Sequence, residues 1–379
     1  MKPCRLAIIS SHPIQYYAPW FRYIQKETDL DIKIFYLKDP QAKADLDQGF
    51  KRVVQWDVPL LEGYAFEFVP KGKLNAVIER FAPQAVLLIG YNDPVLYKFI
   101  FTWGRKRSPL IFKGDSHRLL VPKGLKESLR RGFISFVFKQ FSAFLYVGKA
   151  NYEYFRYHHV PQERLFSSHH AVDNQRFFAQ GPKASQEARE WKMELGIPAD
   201  HKVVLFAGKF EDKKRPLDLL AAFLKADLSD VSLLFVGSGH LEGQMKQAAQ
   251  GHKDIYFASF QNQSFMPRTY AVCDLFVLPS FGRSETWGLC INEAMCMSKP
   301  VIVSSHVGCA QDLVHSAKNG LVFPAGDVSA LTACLKEAFS DKLRLLEWGK
   351  ESRKMIEDYD YRQTTQGLVN AFKSLKSGL

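Results

Sequence analysis

The sequence predicts an α/β protein of two lobes, each a parallel sheet covered by helices on both faces in the Rossmann-like manner. Short apolar runs alternate with helix-length segments, and this pattern restarts near residue 200. A chain of 379 residues is also long for a single hydrophobic core. In sheets of this kind ligands bind beyond the carboxyl ends of the strands, so we expect the ligand site in the cleft between the lobes.

The strand candidates are continuous apolar runs, as expected for strands that are buried on both faces. They are residues 5–10, 31–36, 66–69, 85–89, 110–113, 144–147 and 165–168 in the first half, and 203–207, 232–236, 255–257, 275–278, 301–304 and 320–323 in the second. A charged, turn-rich stretch at 180–200 predicts a linker. We assign residues 1–180 to an N-terminal lobe, 181–360 to a C-terminal lobe, and 361–379 to a C-terminal helix that packs back on the N-terminal lobe.

The composition is ordinary for a globular protein, with 46% hydrophobic and 24% charged residues. The six cysteines form no C-x-x-C pair, which is typical of reduced thiols in a cytosolic protein. The N-terminal residues are strand-like and do not resemble a signal peptide, and no apolar run reaches the roughly 18 residues that a membrane span needs. We therefore expect a cytoplasmic protein.

The formal net charge of +12 is concentrated in one stretch. Residues 98–149 carry 12 Lys and Arg against 2 Asp and Glu, a net charge of +10. Such a field favours an anionic lipid surface or another polyanion. Nucleic acid is not expected, because RNA recognition needs aromatic side chains aligned on a strand platform and the sequence contains no such pattern.

Within this stretch, the helix-like run 125–145 interleaves basic and aromatic side chains. They are Lys126, Arg130, Arg131, Lys139, Phe133, Phe136, Phe138 and Phe141. Two interpretations are open: a core-facing helix with a solvated basic face, or an interfacial helix that docks on anionic lipid. We favour the second, and we expect the segment that begins at Lys123 and ends at Lys149 to hold the protein peripherally on the cytoplasmic face of a membrane.

The most informative motif is the segment 280–300. It contains two carboxylates eight positions apart, Glu285 and Glu293, after an apolar run at 275–279 and around the start of a helix-like run at 289–297. A loop that feeds a helix N-terminus presents free backbone N–H groups and the positive end of the helix dipole, which suits a phosphate. Glu285 can then meet the far end of a ligand and Glu293 its near end. The alternative is a pair of surface glutamates.

Two further loops of the second half follow strand candidates. Lys209 and Lys214 lie on the loop after 203–207, where the alternative is a solvated charge run. Gly237 and Gly239 form a tight turn after 232–236, and such a turn lets a nucleotide approach the backbone. A single G-x-G motif is weak evidence for a nucleotide site.

The first half has corresponding loops at its strand ends. His12 follows the first strand, and Asp115 and His117 follow the strand at 110–113. Residues 90–93, which include Asn92, are a candidate acceptor-side loop. The adjacent histidine pairs at 158–159 and 169–170 have no third ligand at a recognisable spacing, so we do not expect a metal site.

With these motifs the chain resembles the GT-B glycosyltransferases of the large retaining family 4 type, also called group 1 glycosyl transferases. The resemblance covers the second half well and the first half loosely. Its carriers are 207–210 with Lys214, 236–239, Tyr270 with 278–280, Glu285, Glu293, Gly308, Asp312, 319–321, and 172–174 with Phe177.

The resemblance implies a role for each site residue. The first glutamate, Glu285, contacts hydroxyls of the donor sugar, and the second, Glu293, binds the ribose hydroxyls. The diphosphate is expected to contact Lys209, Lys214 and the backbone of Thr286, Trp287, Gly288 and Leu289. The base is expected near Gly239 and Phe260. In the first half, Asp115 or His117 would contact the sugar, and His12 would contact the donor or the acceptor.

The chain departs from the family pattern at four positions. Lys209 stands where arginine is usual, and lysine lacks the bidentate fork of arginine. Arg215 replaces a glycine, Trp287 a phenylalanine and Asp312 a glutamate.

The resemblance implies a hexosyltransferase that moves a sugar from a UDP- or GDP-sugar to an acceptor hydroxyl with retention of configuration and without a metal ion or other cofactor. The N-terminal lobe would bind the acceptor, a glycan or a lipid-linked intermediate of cell-surface polysaccharide or glycolipid biosynthesis. The alternatives are a nucleotide-sugar epimerase and a non-catalytic protein that senses a nucleotide sugar or scaffolds other enzymes.

Overall fold

The structure is a computed structural model that describes residues 4–39, 46–47, 52–53, 55–91, 93–103, 107–120, 124–341 and 343–376. The chain divides into two compact units. Unit 1 consists of Met1–Asp45, Pro59–His170 and Tyr361–Leu379, and unit 2 of Leu46–Val58 and Ala171–Asp360.

Unit 1 is built on a parallel sheet of seven strands in the order β5-β2-β1-β6-β7-β8-β9. Its strands are β1 (Cys4–Ser10), β2 (Leu30–Tyr36), β5 (Ala65–Phe68), β6 (Ala85–Ile89), β7 (Leu110–Lys113), β8 (Ala143–Tyr146) and β9 (Leu165–Ser167). Its helices are α1 (Tyr17–Glu27), α2 (Leu74–Phe81), α3 (Pro94–Trp103), α4 (Leu125–Phe138), α5 (Lys149–Tyr157) and α14 (Tyr361–Lys376).

Unit 2 is built on a parallel sheet of six strands in the order β12-β11-β10-β13-β14-β15. Its strands are β10 (Lys202–Lys209), β11 (Val231–Ser238), β12 (Ile255–Ala258), β13 (Leu275–Leu278), β14 (Val301–Ser304) and β15 (Gly320–Phe323). Its helices are α6 (Asn174–Glu194), α7 (Pro216–Ala226), α8 (Glu242–Ala248), α9 (Met266–Ala271), α10 (Leu289–Cys296), α11 (Ala310–Leu313), α12 (Val328–Phe339) and α13 (Arg344–Ile356). A short antiparallel pair, β3 (Leu46–Asp47) and β4 (Arg52–Val53), forms its own sheet.

The predicted fold class is confirmed: both units are parallel sheets with helices between the strands. Every strand predicted from an apolar run is present, and no strand end is displaced by more than two residues. The central strands β1, β6, β10 and β11 are almost fully buried. Burial on both faces removes polar alternation from such strands and leaves the continuous apolar runs visible in the sequence.

The prediction of a turn-rich linker at 180–200 is wrong, because the single helix α6 covers Asn174–Glu194. The side chain of Asp173 accepts a hydrogen bond from the backbone N–H of Arg176 at 3.1 Å and caps the helix. The helix buries Phe177, Ala184 and Ala188, a helical spacing that the many charged residues around it hide. A proline, Pro182, lies inside the helix.

Helix α14 packs within unit 1. The hydroxyl of Tyr361 donates to the carbonyl oxygen of Tyr16 at 2.9 Å, and the indole N–H of Trp20 donates to Oγ1 of Thr365 at 3.0 Å. At Gly367 an added Cβ would lie 1.7 Å from the carbonyl oxygen of Ser167. Glycine therefore lets this helix lie directly on the end of β9.

Candidate functional site

The loops after β10 and β11 of unit 2 lie side by side at the carboxyl edge of the sheet. Lys209 ends β10 and is in register with Ser238 at the end of β11. A Cβ at Gly237 would lie 2.0 Å from the carbonyl oxygen of Gly208, and one at Gly239 would lie 2.3 Å from that of Phe210. Both positions therefore require glycine, and the turn after β11 presents bare backbone at this edge.

Lys214 and Glu285 form an ion pair across two loops. The ammonium group of Lys214, at the end of a short 3-10 turn (Asp212–Lys214), donates to Oε2 of Glu285. The hydroxyl of Ser280, directly after β13, donates to the same oxygen at 2.8 Å. Burial is the largest single influence on Lys214 and acts to lower its pKa, but the charge and hydrogen bond of Glu285, together with Cys290 and Glu211, outweigh it, so the pKa is raised and the lysine stays charged.

The loop from Glu285 to Gly288 is held by backbone contacts to the start of α11. The N–H of Gly308 donates to the carbonyl oxygen of Glu285, and the N–H of Cys309 donates to that of Trp287, both at 3.0 Å. A Cβ at Gly308 would lie 1.8 Å from the carbonyl oxygen of Thr286. The loop that carries Glu285 is thus fixed by a close approach that only glycine permits.

Helix α10 begins at the end of this loop. Gly288 has φ 94° and ψ 61°, a left-handed conformation that glycine adopts without strain. The indole N–H of the buried Trp287 donates to Oδ1 of Asn292 at 2.8 Å. The N–H of Ile291 already donates to the carbonyl oxygen of Gly288 at 2.9 Å. The N–H groups of Leu289 and Cys290 precede this bond, at the positions that a helix N-terminus leaves without an intrahelical acceptor and where the helix dipole is positive. These N–H groups directly follow, in the chain, the loop that carries Glu285.

Glu293 lies one turn inside α10 and is 2% exposed. The hydroxyl of Tyr270, on α9, donates to Oε2 of Glu293 at 2.7 Å. The carboxylate is therefore fixed between two helices.

In unit 1 the residues at the carboxyl edge of the sheet form a second polar cluster. Oδ2 of Asp115 lies 3.6 Å from Nε2 of His170, which follows β9. Burial lowers the pKa of His170, against the attraction of Asp115. Nδ1 of the buried His117 accepts from the backbone N–H of Leu119 at 3.3 Å. Nδ1 of His12 lies 2.9 Å from Oγ of Ser11, and burial together with Lys38 lowers the pKa of His12.

Beneath this cluster Lys113 is buried, with 1% of its surface exposed. Its ammonium group donates to the carbonyl oxygen of Ser168 at 2.6 Å and to Oγ of Ser168 at 3.0 Å. Burial lowers the pKa of Lys113 to about 7, although Asp115 acts in the opposite direction. In the sequence Lys113 is only the last residue of the strand candidate 110–113, and a charged residue at the end of an apolar run is the signal that could have identified it.

The structure thus brings Lys214, Glu285 and Ser280 together in unit 2, and Asp115 and His170 together in unit 1. Sequence reasoning missed Ser280 and Tyr270 as direct partners of the two glutamates, and it considered His170 only as a metal ligand. Asn92 and Lys123 lie outside the described residues. Within the described ranges, no group of three His, Cys, Asp or Glu side chains is placed to hold a metal ion.

Of the four aromatic residues predicted to face lipid, two belong to the core. Phe138 and Phe141 are 3% and 1% exposed, because the chain turns from α4 into the buried strand β8. Phe133 and Phe136 are 49% and 53% exposed. None of the helices in the described ranges combines the length and the apolar character that crossing a bilayer requires.

Comparison with known proteins gives a family match for the residues of unit 2. Residues 187–357 match the family described as glycosyl transferases group 1. The chain is 27% identical over 198 residues to O-antigen chain mannosyltransferase C of Escherichia coli, covering 52% of this chain and 50% of that protein. It is 32% identical over 170 residues to 2-deoxystreptamine N-acetyl-D-glucosaminyltransferase of Streptomyces fradiae, covering 43% and 40%. The match thus spans about half the length of these relatives or less.

Solved structures resemble the chain over almost its whole length. A glycosyltransferase from Rickettsia africae has a TM-score of 0.76 at 13% identity, with 100% of both chains covered. HepE of Anabaena, solved in complex with UDP and glucose, has a TM-score of 0.72 at 17% identity, with 98% of this chain and 99% of that chain covered. At these identities the likeness concerns the fold.

The two parallel-sheet units have the GT-B fold of these solved glycosyltransferases. Residues 187–357 match the family of group 1 glycosyl transferases, and the resemblance predicted from the sequence is confirmed.

Proposed function

We propose that this protein transfers a hexose from a nucleoside diphosphate sugar to an acceptor hydroxyl, with retention of anomeric configuration and without a metal ion. The observation that carries the proposal is the Lys214–Glu285 ion pair beside the start of α10. It combines a charged lysine, a carboxylate for sugar hydroxyls and a helix N-terminus for a diphosphate in one loop system.

In the proposed reaction the bond from the anomeric carbon to the diphosphate oxygen breaks, and negative charge builds on the leaving diphosphate. Lys214, Lys209 and the first-turn N–H groups of α10 stabilise this charge. The acceptor oxygen bonds to the anomeric carbon on the same face, and its proton passes to the departing phosphate oxygen. Glu285 positions the donor sugar and does not form a covalent intermediate.

The donor's nucleoside lies along α10 in this proposal. Glu293, fixed by Tyr270, accepts hydrogen bonds from the ribose hydroxyls, and the backbone near Gly239 and Phe260 meets the base. HepE was solved with UDP and with UDP-glucose, which supports a nucleotide-sugar donor for this fold. Asp115, His117 and His12 of unit 1 are proposed to contact donor sugar or acceptor.

We propose cell-surface polysaccharide or glycolipid biosynthesis as the setting. Two relatives support it by name: the O-antigen chain mannosyltransferase and an amylovoran biosynthesis glycosyltransferase of Erwinia amylovora, 29% identical over 202 residues. The acceptor is then a glycan or a lipid-linked intermediate.

We further propose that α3 and α4 dock on an anionic membrane surface at its cytoplasmic face. A typical surface helix has one apolar face, which packs against the core. Helix α4 buries Ile134, Val137 and Phe138 on such a face, but it also carries a second apolar stripe that is exposed. This hydrophobic–basic surface comprises Phe101, Leu125, Leu129, Phe133 and Phe136, with the exposed Lys126 and Arg130 on the same helix.

The rings of Phe101 and Phe136 stack at 5.6 Å, so α3 and α4 present one continuous surface. Exposed apolar groups rimmed by basic side chains match the interface of an anionic bilayer.

The test of the proposed function is turnover with UDP- and GDP-sugars in the presence of chelator and a panel of glycan and lipid-linked acceptors. We expect nucleoside diphosphate release that requires acceptor, and a product with the donor's anomeric configuration by NMR. Epimerised donor without transfer would instead identify an epimerase. Tight donor binding with no turnover on any acceptor would identify a sensor or scaffold.

A further inference from the structure

A segment from the first half of the sequence, Leu46–Val58, belongs to unit 2. Its residues Gln55 and Asp57 are hydrogen-bonded to the loop that precedes α9. Nδ2 of Asn262 donates to the carbonyl oxygen of Gln55 at 2.7 Å. The backbone N–H of Ser264 donates to Oδ1 of Asp57 at 3.0 Å, and the Ser264 hydroxyl donates to its other carboxylate oxygen. The segment is therefore anchored on both sides of the residue between them.

That residue is Trp56. Its ring is half-buried, with its centroid 6.3 Å from that of Phe260 and the two planes inclined at 58°. A half-buried indole ring such as that of Trp56 can stack a flat ligand ring on its π face. A tryptophan held at the surface by hydrogen bonds of its neighbours is pre-ordered for a ligand, because it loses little conformational entropy on binding.

The position of this pair relates it to the diphosphate site. The loop with Phe260 follows β12, two strands from β10, and so lies roughly 10 Å along the carboxyl edge from the end of β10. Helix α9 begins after this loop, packs against α10, and carries Tyr270, which binds Glu293. A nucleotide with its diphosphate at the start of α10 and its ribose at Glu293 has its base directed toward this loop.

We propose that Trp56 completes the nucleobase site at the Phe260 loop, with its ring stacking on the base of the donor. This inference rests on the proposed function. Because every base has a π face, stacking adds affinity for uridine and guanosine nucleotides alike. Selection between uridine and guanosine then depends on hydrogen bonds to the edge of the base.

The test is calorimetric titration of the full chain with UDP, GDP and inorganic pyrophosphate. We expect Trp56→Ala to weaken both nucleotides about 10-fold, the scale of one base–aromatic stack, and to leave pyrophosphate affinity unchanged. Trp56→Phe keeps a stacking ring and retains most of the affinity. Leu343→Ala, which removes an apolar side chain that is 61% exposed elsewhere in unit 2, serves as the control.

A second variant tests the anchor. Ser264→Ala removes the hydroxyl that donates to Asp57 and keeps both rings, so we expect a several-fold loss for nucleotides alone. The inference is overturned if Trp56→Ala binds UDP and GDP as the wild type does, or if it weakens pyrophosphate equally, since that indicates general damage. If the wild-type protein binds neither nucleotide, the proposed function itself fails, and this inference fails with it.

Discussion

Lys214 and Glu285, which lie 71 positions apart in the sequence, share a hydrogen-bonded ion pair with side chains only 20% and 13% exposed. Strands β10 and β13 are neighbours in the sheet, and each residue lies on the loop that follows one of them. In the proposed reaction the pair pre-positions a cation and an anion before the donor binds. A donor's diphosphate and sugar hydroxyls would then take over interactions that each group already makes, with little reorganisation.

Lys214→Met tests the role of this cation in turnover. We expect kcat at saturating donor to fall about 10²- to 10³-fold, because the variant loses a preorganised charge that matters most when the diphosphate leaves. Lys213→Met is the matched control: its ammonium group lies 3.2 Å from Glu211, away from Glu285, and we expect near wild-type turnover. Equal losses for both lysines, or a change in donor affinity alone, would contradict the assignment.

Glu293→Gln tests the proposed contact between Glu293 and the donor's ribose. The variant keeps the shape of the side chain but removes its charge, so we expect the Kd for the donor to rise about 10-fold while kcat at saturation stays nearly unchanged. Tyr270→Phe removes the hydroxyl that positions Glu293, and a smaller rise of a few-fold follows. Titration and steady-state kinetics measure both. Glu242→Gln on α8 is the control and should change neither value. If Glu293→Gln instead lowers kcat without changing Kd, Glu293 acts in turnover and not in donor binding, and the assignment is wrong.

The sequence was sufficient to predict the parallel strands, because burial on both faces leaves runs such as 85–89 and 301–304 without polar interruption. It also placed Glu285 on the loop after a strand and Glu293 inside the following helix, where the structure has them; their roles at a donor site stay predictions. Helix α6 was hidden because its buried positions are few and are spaced among charges.

The partners Ser280, Tyr270 and Trp56 were not predictable in the same way. Their contacts arise only when distant segments pack, and a hydroxyl next to a carboxylate leaves no periodic signal. The sequence of α4 showed only that aromatic and basic residues are interleaved. It did not show that Phe138 packs into the core while Phe133 is exposed.

Gly308→Ala tests the backbone contact that fixes the Glu285 loop. A Cβ at this position would overlap the carbonyl oxygen of Thr286, so the loop must move; we expect a loss of about 1–3 kcal/mol in unfolding free energy and weaker donor binding. Gly243→Ala on α8 meets nothing within 4 Å, and we expect it to stabilise by about 0.5–1 kcal/mol. Denaturant melts and donor titrations measure the two effects, and unaltered binding in Gly308→Ala would count against a fixed loop.

Lys113 makes stability depend on pH. Its pKa in the folded protein is lowered from 10.5 to about 7, so between these values the unfolded chain binds the extra proton and unfolding free energy rises with pH. From pH 7 to pH 9 this amounts to at most about 2.7 kcal/mol. Lys113→Met removes the titrating group, and we expect its stability curve to be flatter than that of the wild type. Parallel curves in urea melts across this range would show that Lys113 does not titrate there.

The hydrophobic–basic surface of α3 and α4 predicts binding to anionic vesicles. We expect the protein to co-float with phosphatidylglycerol-containing vesicles at low salt and not with pure phosphatidylcholine, because each basic residue near an anionic surface contributes about 1 kcal/mol. Replacing Phe133 and Phe136 together by serine should reduce binding at least 10-fold, since two half-exposed rings lose their burial in the interface.

Leu343→Ser with Leu346→Ser is the matched control, because these side chains are 61% and 58% exposed on unit 2, outside this surface. It should bind vesicles as the wild type does. If both double variants lose binding alike, the association is not specific to α3 and α4. If neither loses it while high salt abolishes it, charge alone holds the protein to the vesicle, and the exposed rings must serve another purpose.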